Sequence, residues 1–126
     1  MVKGLYQDIL VDHYKHSRNS GVIDPADFSS AQYNPSCGDR VSVTGLVSSD
    51  GVITDIRFQA TGCVISVATA SLLSEKVKGL TLADAALLDT PDILDLIGMS
   101  LGPTRLKCAL LPLYALRDAL HDYSAK

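Results

Sequence analysis

Apolar residues recur at helical spacing from Val2 to about His16. Leu5, Ile9 and His13 form one line, and Tyr6, Leu10 and Tyr14 form the next. "SRNSG" closes this first helix, with Gly21 as the stop. Residues 22–36 hold Pro25, Asp27, Ser29, Ser30, Asn34 and Pro35 and read as loop, with room for one short strand. The period then changes from helical to alternating. In "RVSVTGLVSSDGVITDIRFQATG", Val41, Val43 and Val47 alternate on one arm, and Val52, Ile56 and Phe58 on the other. "SSDG" between the arms is turn chemistry, since Gly51 can take a positive φ. Two strands alone are marginal, so a covering layer is required.

The covering layer is helical. "CVISVATASLLSEKVKG" puts Val64, Ala68 and Leu72 on one stripe and ends at Gly79, and its many Ala and Ser residues permit close packing on a sheet. "TLADAALL" predicts a short helix capped by Thr81. "TPDILDLIG" predicts another, capped by Thr90 with Pro91 at the first helical position. A last helix spans about Thr104 to Tyr123, with Ala109, Leu113, Leu116 and Leu120 as its apolar stripe. Pro112 falls inside it and predicts either a kink or a restart. The pattern is α+β, with no internal repeat and no low-complexity segment.

Length and composition narrow this picture. The 126 residues suffice for one domain with a true core, so a single domain over 1–126 is expected. A net charge of −3 offers nothing to a polyanion, so neither nucleic acid nor an anionic membrane is an expected partner. "MVKGLYQDIL" reaches Gln7 and Asp8 too early for a signal-peptide core, and "CALLPLYAL" is too short to span a bilayer. A cytoplasmic location is the default expectation.

The chain has three cysteines, Cys37, Cys63 and Cys108. An odd number, widely spaced, argues against a disulfide framework, and there is no CxxC pair. What remains is buried small hydrophobes, metal ligands or reactive thiols. Cys37 precedes the first hairpin strand, in "NPSCGDR". Cys63 sits where the second strand ends and a helix begins, and Cys108 lies in the first turns of the last helix. These three places can meet at one edge of an α/β layer, and Asp39 can join them. Thiolates are soft ligands, and a helix N-terminus such as that at Cys63 favours negative charge. Three sulfurs and one oxygen suit tetrahedral zinc or an iron–sulfur cluster, and the harder oxygen makes such a site readier to release its cargo. Against this stand simple burial of the thiols and a plain turn role for Asp39.

Taken together, the motifs resemble the U-type iron–sulfur cluster scaffold family (IscU, SufU and the N-terminal domain of NifU). "LYQDILVDHYKHSRNSG" is similar to the family's opening helix and its "DHY…PRN.G" signature, with Ser17 where proline is usual. "NPSCGD" matches the first ligand motif, "GVITDIRFQATGCVISVATASLLSE" the strand, Gly-Cys and small-residue helix, and "RLKCALLPLYAL" the last ligand motif. The resemblance implies a small antiparallel three-stranded sheet covered by helices. It implies that Cys37, Asp39, Cys63 and Cys108 hold a transient 2Fe-2S or 4Fe-4S cluster, its iron, or a zinc ion. It also implies a cysteine desulfurase of the SufS or IscS type that delivers persulfide sulfur, and iron–sulfur acceptor proteins downstream. Cys108, beside the "LGPTRLK" loop, is the expected sulfur acceptor, with Cys37 as its competitor.

Two departures from the family pattern matter. IscU-type chains carry histidine directly before the last cysteine, whereas this chain has Lys107, a SufU-like feature. A protonated lysine has no lone pair to offer, so Asp39 is the expected fourth ligand. The IscU-type Leu-Pro-Pro-Val-Lys chaperone motif is replaced by "LGPTRLK", where Gly102 breaks it, so a dedicated DnaK-type chaperone is not expected. The insertion typical of SufU between the second and third cysteines is absent. The expected function is therefore a cluster scaffold and sulfur carrier rather than a turnover enzyme. A zinc-dependent sulfurtransferase using the same residues is the alternative, and a structural zinc interaction module a third. Elsewhere, His13 reads as a packing or capping residue, His16 and His121 as solvated, and Tyr33 as a packing aromatic. Arg40, Arg105 and Lys107 read as surface charges near the site.

Overall fold

The computed structural model describes residues 2–36 and 38–124, and side chains from residue 7 onward. The elements run α1 (Val2–Lys15), β1 (Phe28–Asn34), β2 (Asp39–Val47), β3 (Ile53–Thr61), α2 (Val64–Val77), α3 (Leu82–Ala86), α4 (Thr90–Ile97) and α5 (Pro103–Ser124). The strands form one antiparallel sheet in the order β1-β2-β3, as the resemblance implied.

Alternation along β2 decides which face is the core. Asp39, Val41, Val43 and Gly45 point inward, while Arg40, Ser42 and Thr44 point outward. Val41, Val43, Ile53, Ile56 and Phe58 of the sheet meet Ala68, Leu73 and Val77 of α2 and Ala109, Leu113 and Leu116 of α5. Gly45 is required by a close approach. It pairs with Phe28, and a Cβ on it would lie 2.0 Å from that ring.

β1 is a full seven-residue strand where the sequence pattern gave mainly loop. Its inward side carries Phe28 and then Ser30, Gln32 and Asn34, so it lacks the hydrophobic alternation that marks a half-buried strand. It packs on α5, with Gln32 hydrogen-bonded to Asp118. Tyr33 falls in the outward register and is 60% exposed, so it is not the packing aromatic expected.

The helices differ from expectation in instructive ways. α2 touches α1, α5, β3, α4 and β2, so it is buried nearly all round. The anticipated Val64–Ala68–Leu72 stripe is not its core face: Val64 is exposed, and Ile65, Ala68, Leu73 and Val77 are buried. α4 is capped by Asp89, not Thr90, which moves Pro91 to the second helical position. The Asp89 carboxylate accepts from the Thr90 N–H at 2.7 Å, and the Asp92 carboxylate accepts from the Asp89 N–H at 2.8 Å, a reciprocal cap. Thr81 caps α3 as expected, accepting from the Asp84 N–H. α5 runs through Pro112 as one helix, so Pro112 does not mark a restart.

α1 is docked on α2 by hydroxyls. Ser71 Oγ accepts from the Arg18 N–H at 2.8 Å and lies 2.7 Å from His13 Nδ1. The other ring nitrogen, Nε2, faces Glu75 at 3.6 Å. Burial is the largest influence on His13 and holds its pKa below the usual histidine value, despite the pull of Glu75. Asn19 Nδ2 donates to Ser74 Oγ at 3.1 Å. The side chains of Leu5 and Tyr6, expected on the α1 stripe, lie outside the described residues; Leu10 and His13 are buried as that stripe required, whereas Tyr14 at its end is exposed.

Candidate metal centre

Three elements converge at one end of the core. β2 begins at Asp39, α2 is capped by Cys63, and α5 carries Cys108 in its second turn. Their ligand atoms lie within 4.8 Å of one another. A tetrahedral zinc site with bonds of about 2.3 Å to sulfur separates its ligand atoms by about 3.8 Å, so only a small contraction is needed. Cys37 lies outside the described residues. Asn34 and Asp39, on either side of it in sequence, pair across β1 and β2.

The site is built around the carboxylate. Asp39 is 0% exposed. One oxygen accepts the Cys63 N–H at 2.8 Å. The other accepts the Ser66 hydroxyl at 2.7 Å and the Cys63 thiol at 3.3 Å. Cys108 also hydrogen-bonds to this carboxylate. Burial alone would raise the Asp39 pKa, but the bonds from Cys108, Ser66 and Cys63 together outweigh it and hold the carboxyl below its usual range. Asp39 is therefore an ionised, fully covered acceptor near neutral pH. Two of its donors are thiols, whose protons leave when a metal binds.

Gly62 makes this contact possible. It sits at φ +125°, and a Cβ there would lie 2.0 Å from Asp39 Oδ1. α2 has no side-chain cap of its own at Cys63. The acceptor comes from β2 instead, and a carboxylate at a helix N-terminus suits the macrodipole.

On the other side, Pro112 lies four residues beyond Cys108. Lacking an N–H, it cannot close the helical bond to the Cys108 carbonyl. The Ser66 hydroxyl lies 3.1 Å from that carbonyl oxygen. Ser66, Gly62 and Pro112 were not singled out as site residues from sequence. Their signals were positional: Ser66 is three residues into the helix that Cys63 caps, and Pro112 is at the spacing that frees one particular carbonyl.

The remaining candidates lie elsewhere or at the surface. Arg40, Arg105 and Lys107 are exposed, as are His16 and His121. His13 belongs to the α1–α2 contact and not to this cluster. Among the described residues, no helix is long and apolar enough to cross a membrane.

One buried and one half-buried thiol, a covered carboxylate and a glycine that admits it form a candidate soft-metal or cluster site on an α+β frame. The sequence matches the NifU-like N terminal domain family over residues 5–126. It is 34% identical to the iron–sulfur cluster assembly scaffold protein IscU of Escherichia coli, over 96% of this chain and 95% of that one. It is also 34% identical to the zinc-dependent sulfurtransferase SufU of Bacillus subtilis, over 92% of this chain and 89% of that one. The SufU alignment extends over 133 positions, more than the 126 residues here, so that relative carries residues this chain lacks. Among solved structures, the SufU protein of Fervidobacterium islandicum superposes with a TM-score of 0.77 at 26% identity, covering 90% of this chain and 94% of that one. The chain belongs to the NifU-like N-terminal domain family, with IscU scaffolds and SufU among its relatives.

Proposed function

We propose that this chain is a cytoplasmic iron–sulfur cluster assembly scaffold. It holds a nascent cluster on Cys37, Asp39, Cys63 and Cys108 and passes it to acceptor proteins. The observation that carries this reading is the set of ligand atoms of Asp39, Cys63 and Cys108 within 4.8 Å, centred on an ionised carboxylate whose thiol donors are displaceable. The thiols supply soft donors, and the harder Asp39 oxygen keeps the cargo exchangeable. A site closed by four thiolates would suit a purely structural module better.

The sulfur comes from a cysteine desulfurase of the SufS or IscS type. The acceptor thiolate attacks the outer sulfur of the desulfurase persulfide. One S–S bond forms as another breaks, and the desulfurase cysteine leaves as thiolate, so no outside oxidant or reductant is required. Cys108 is the proposed acceptor and Cys37 its competitor. Cys108 is only 3% exposed, so its use requires the chain covering it to move. Mass spectrometry of the persulfide after transfer, in Cys37→Ser and Cys108→Ser chains, assigns it. Sulfur retained in Cys108→Ser and lost in Cys37→Ser would reverse the choice. A dedicated DnaK-type chaperone is not among the proposed partners, because Gly102 interrupts the segment that such a partner would read.

A second reading is a zinc-dependent sulfurtransferase on the same residues. Lys107 favours it: exposed and without a lone pair while protonated, it leaves the ligand set at three thiols and Asp39. The donors fit zinc, which when bound would act as a Lewis acid keeping the thiols deprotonated. The deciding experiment compares desulfurase stimulation by metal-free and zinc-loaded protein, with metal content measured on the same samples. Stimulation that needs zinc supports sulfur transfer. A coloured cluster after anaerobic reconstitution, without zinc dependence, supports the scaffold. If neither appears, both readings fail.

A further inference from the structure

Ser66 contacts every described ligand residue. Its hydroxyl is 2.7 Å from Asp39 Oδ2, 3.1 Å from the Cys108 carbonyl oxygen and 3.6 Å from Cys63 Sγ. The residue is 0% exposed, so these contacts are shielded from bulk solvent. We propose that Ser66 is the positioning residue of the centre: its hydroxyl holds the Asp39 carboxylate in its ligating orientation, with the Cys108 carbonyl as a second acceptor in reach. This inference rests on the metal-site reading above.

Proton bookkeeping supports the role. Ser66 has one O–H and two oxygen acceptors in reach. The bond to the charged carboxylate is shorter and stronger, so the proton faces Asp39. The Cys108 carbonyl is open to a side chain only because Pro112 cannot donate to it. If Asp39 turns away from the site, the same hydroxyl can donate to that carbonyl without being left unpaired. Ser66 thus has an acceptor in both arrangements. A Ser at this place serves a site that must both bind and release. Groups hydrogen-bonded to metal ligands typically change metal affinity by about 10–100-fold when removed.

The test uses the full chain, with zinc in competition against a chromophoric chelator and cobalt(II) as a spectroscopic probe. Ser66→Ala should fold, bind zinc about 10–100-fold more weakly, and change the visible cobalt bands, which report ligand geometry. Ser66→Thr, which keeps the hydroxyl, should stay within about threefold of the unaltered protein, below that range. Unchanged affinity and an identical cobalt spectrum in Ser66→Ala would overturn the proposal. So would equal losses in folded Ser66→Ala and Ser66→Thr, because the hydroxyl would then not be the determinant. Failure of the unaltered chain to bind either metal would instead overturn the metal-site reading, and this proposal with it.

Discussion

Two buried polar networks hang on the same helix. At the start of α2, Ser66 serves Asp39, Cys63 and Cys108. Further along, Ser71 and Ser74 serve His13, Arg18 and Asn19. Both are shielded, and both join residues distant in sequence. They differ in what can leave. The α1–α2 network pairs a backbone N–H, an amide and a neutral imidazole with hydroxyls, and none of these protons is exchanged for a cation. At the metal end, two thiols donate to one carboxylate, and a metal can replace both protons. Burial of polar groups is thus no mark of function by itself. Displaceable protons around a soft donor set are.

Gly62→Ala should break the metal end most severely. It combines a left-handed backbone cost of about 1–2 kcal/mol with a clash that displaces Asp39, so a total loss of about 3–4 kcal/mol is expected. Chemical denaturation reads the stability, and zinc binding should fall with it. Next comes Ser71→Ala, which strips a partner from the Arg18 N–H and from His13. It should destabilise by about 1–3 kcal/mol while leaving zinc affinity unchanged. A parallel loss of affinity would show that the two networks are coupled. A smaller effect of opposite sign is expected between them on α2. Thr69 is fully buried, and its hydroxyl has no partner among the described residues. Thr69→Val should raise stability by about 1 kcal/mol, measurable as a higher melting temperature.

The smallest contrast is one of pH, in the metal-free protein. The folded His13 pKa lies below its unfolded value, so the unfolded chain binds the extra proton first. Stability from this contact is present above about 6.5 and lost as pH falls below it. The Asp39 pKa is also lowered, and for a carboxylate the contribution is lost only as pH falls below about 3.9. Acidification should loosen the α1 contact before the metal end. Hydrogen exchange at Arg18 and Cys63 across the two windows checks the order, and simultaneous loss would contradict it.

Much of this was legible in the sequence because it was local. "SSDG" set the β2–β3 hairpin, Thr81 capped its helix, and the α5 stripe of Ala109, Leu113, Leu116 and Leu120 is buried as read. Placing the cysteines at element ends foresaw that Cys63 and Cys108 would meet Asp39. What escaped depended on tertiary surroundings. β1 was obscure because its inward residues after Phe28 are polar. The α2 face was misjudged because five elements touch it. Tyr33 was misread because register, not aromaticity, turns it outward. Ser66 was passed over because its acceptors lie 27 and 42 residues away.

Gly62 and Asp39 also constrain the order in which mutations can accumulate. A larger residue at 62 is blocked twice, by its positive φ and by the carboxylate occupying the space a Cβ would need. Shrinking residue 39 relieves the clash with the carboxylate but leaves the positive φ and the residue 39 Cα, 2.8 Å from the same Cβ. A lineage could therefore change its fourth ligand freely behind the glycine, but could replace the glycine only after giving up the carboxylate. The missing methyl group at 62 acts as a one-way gate on how this site can evolve.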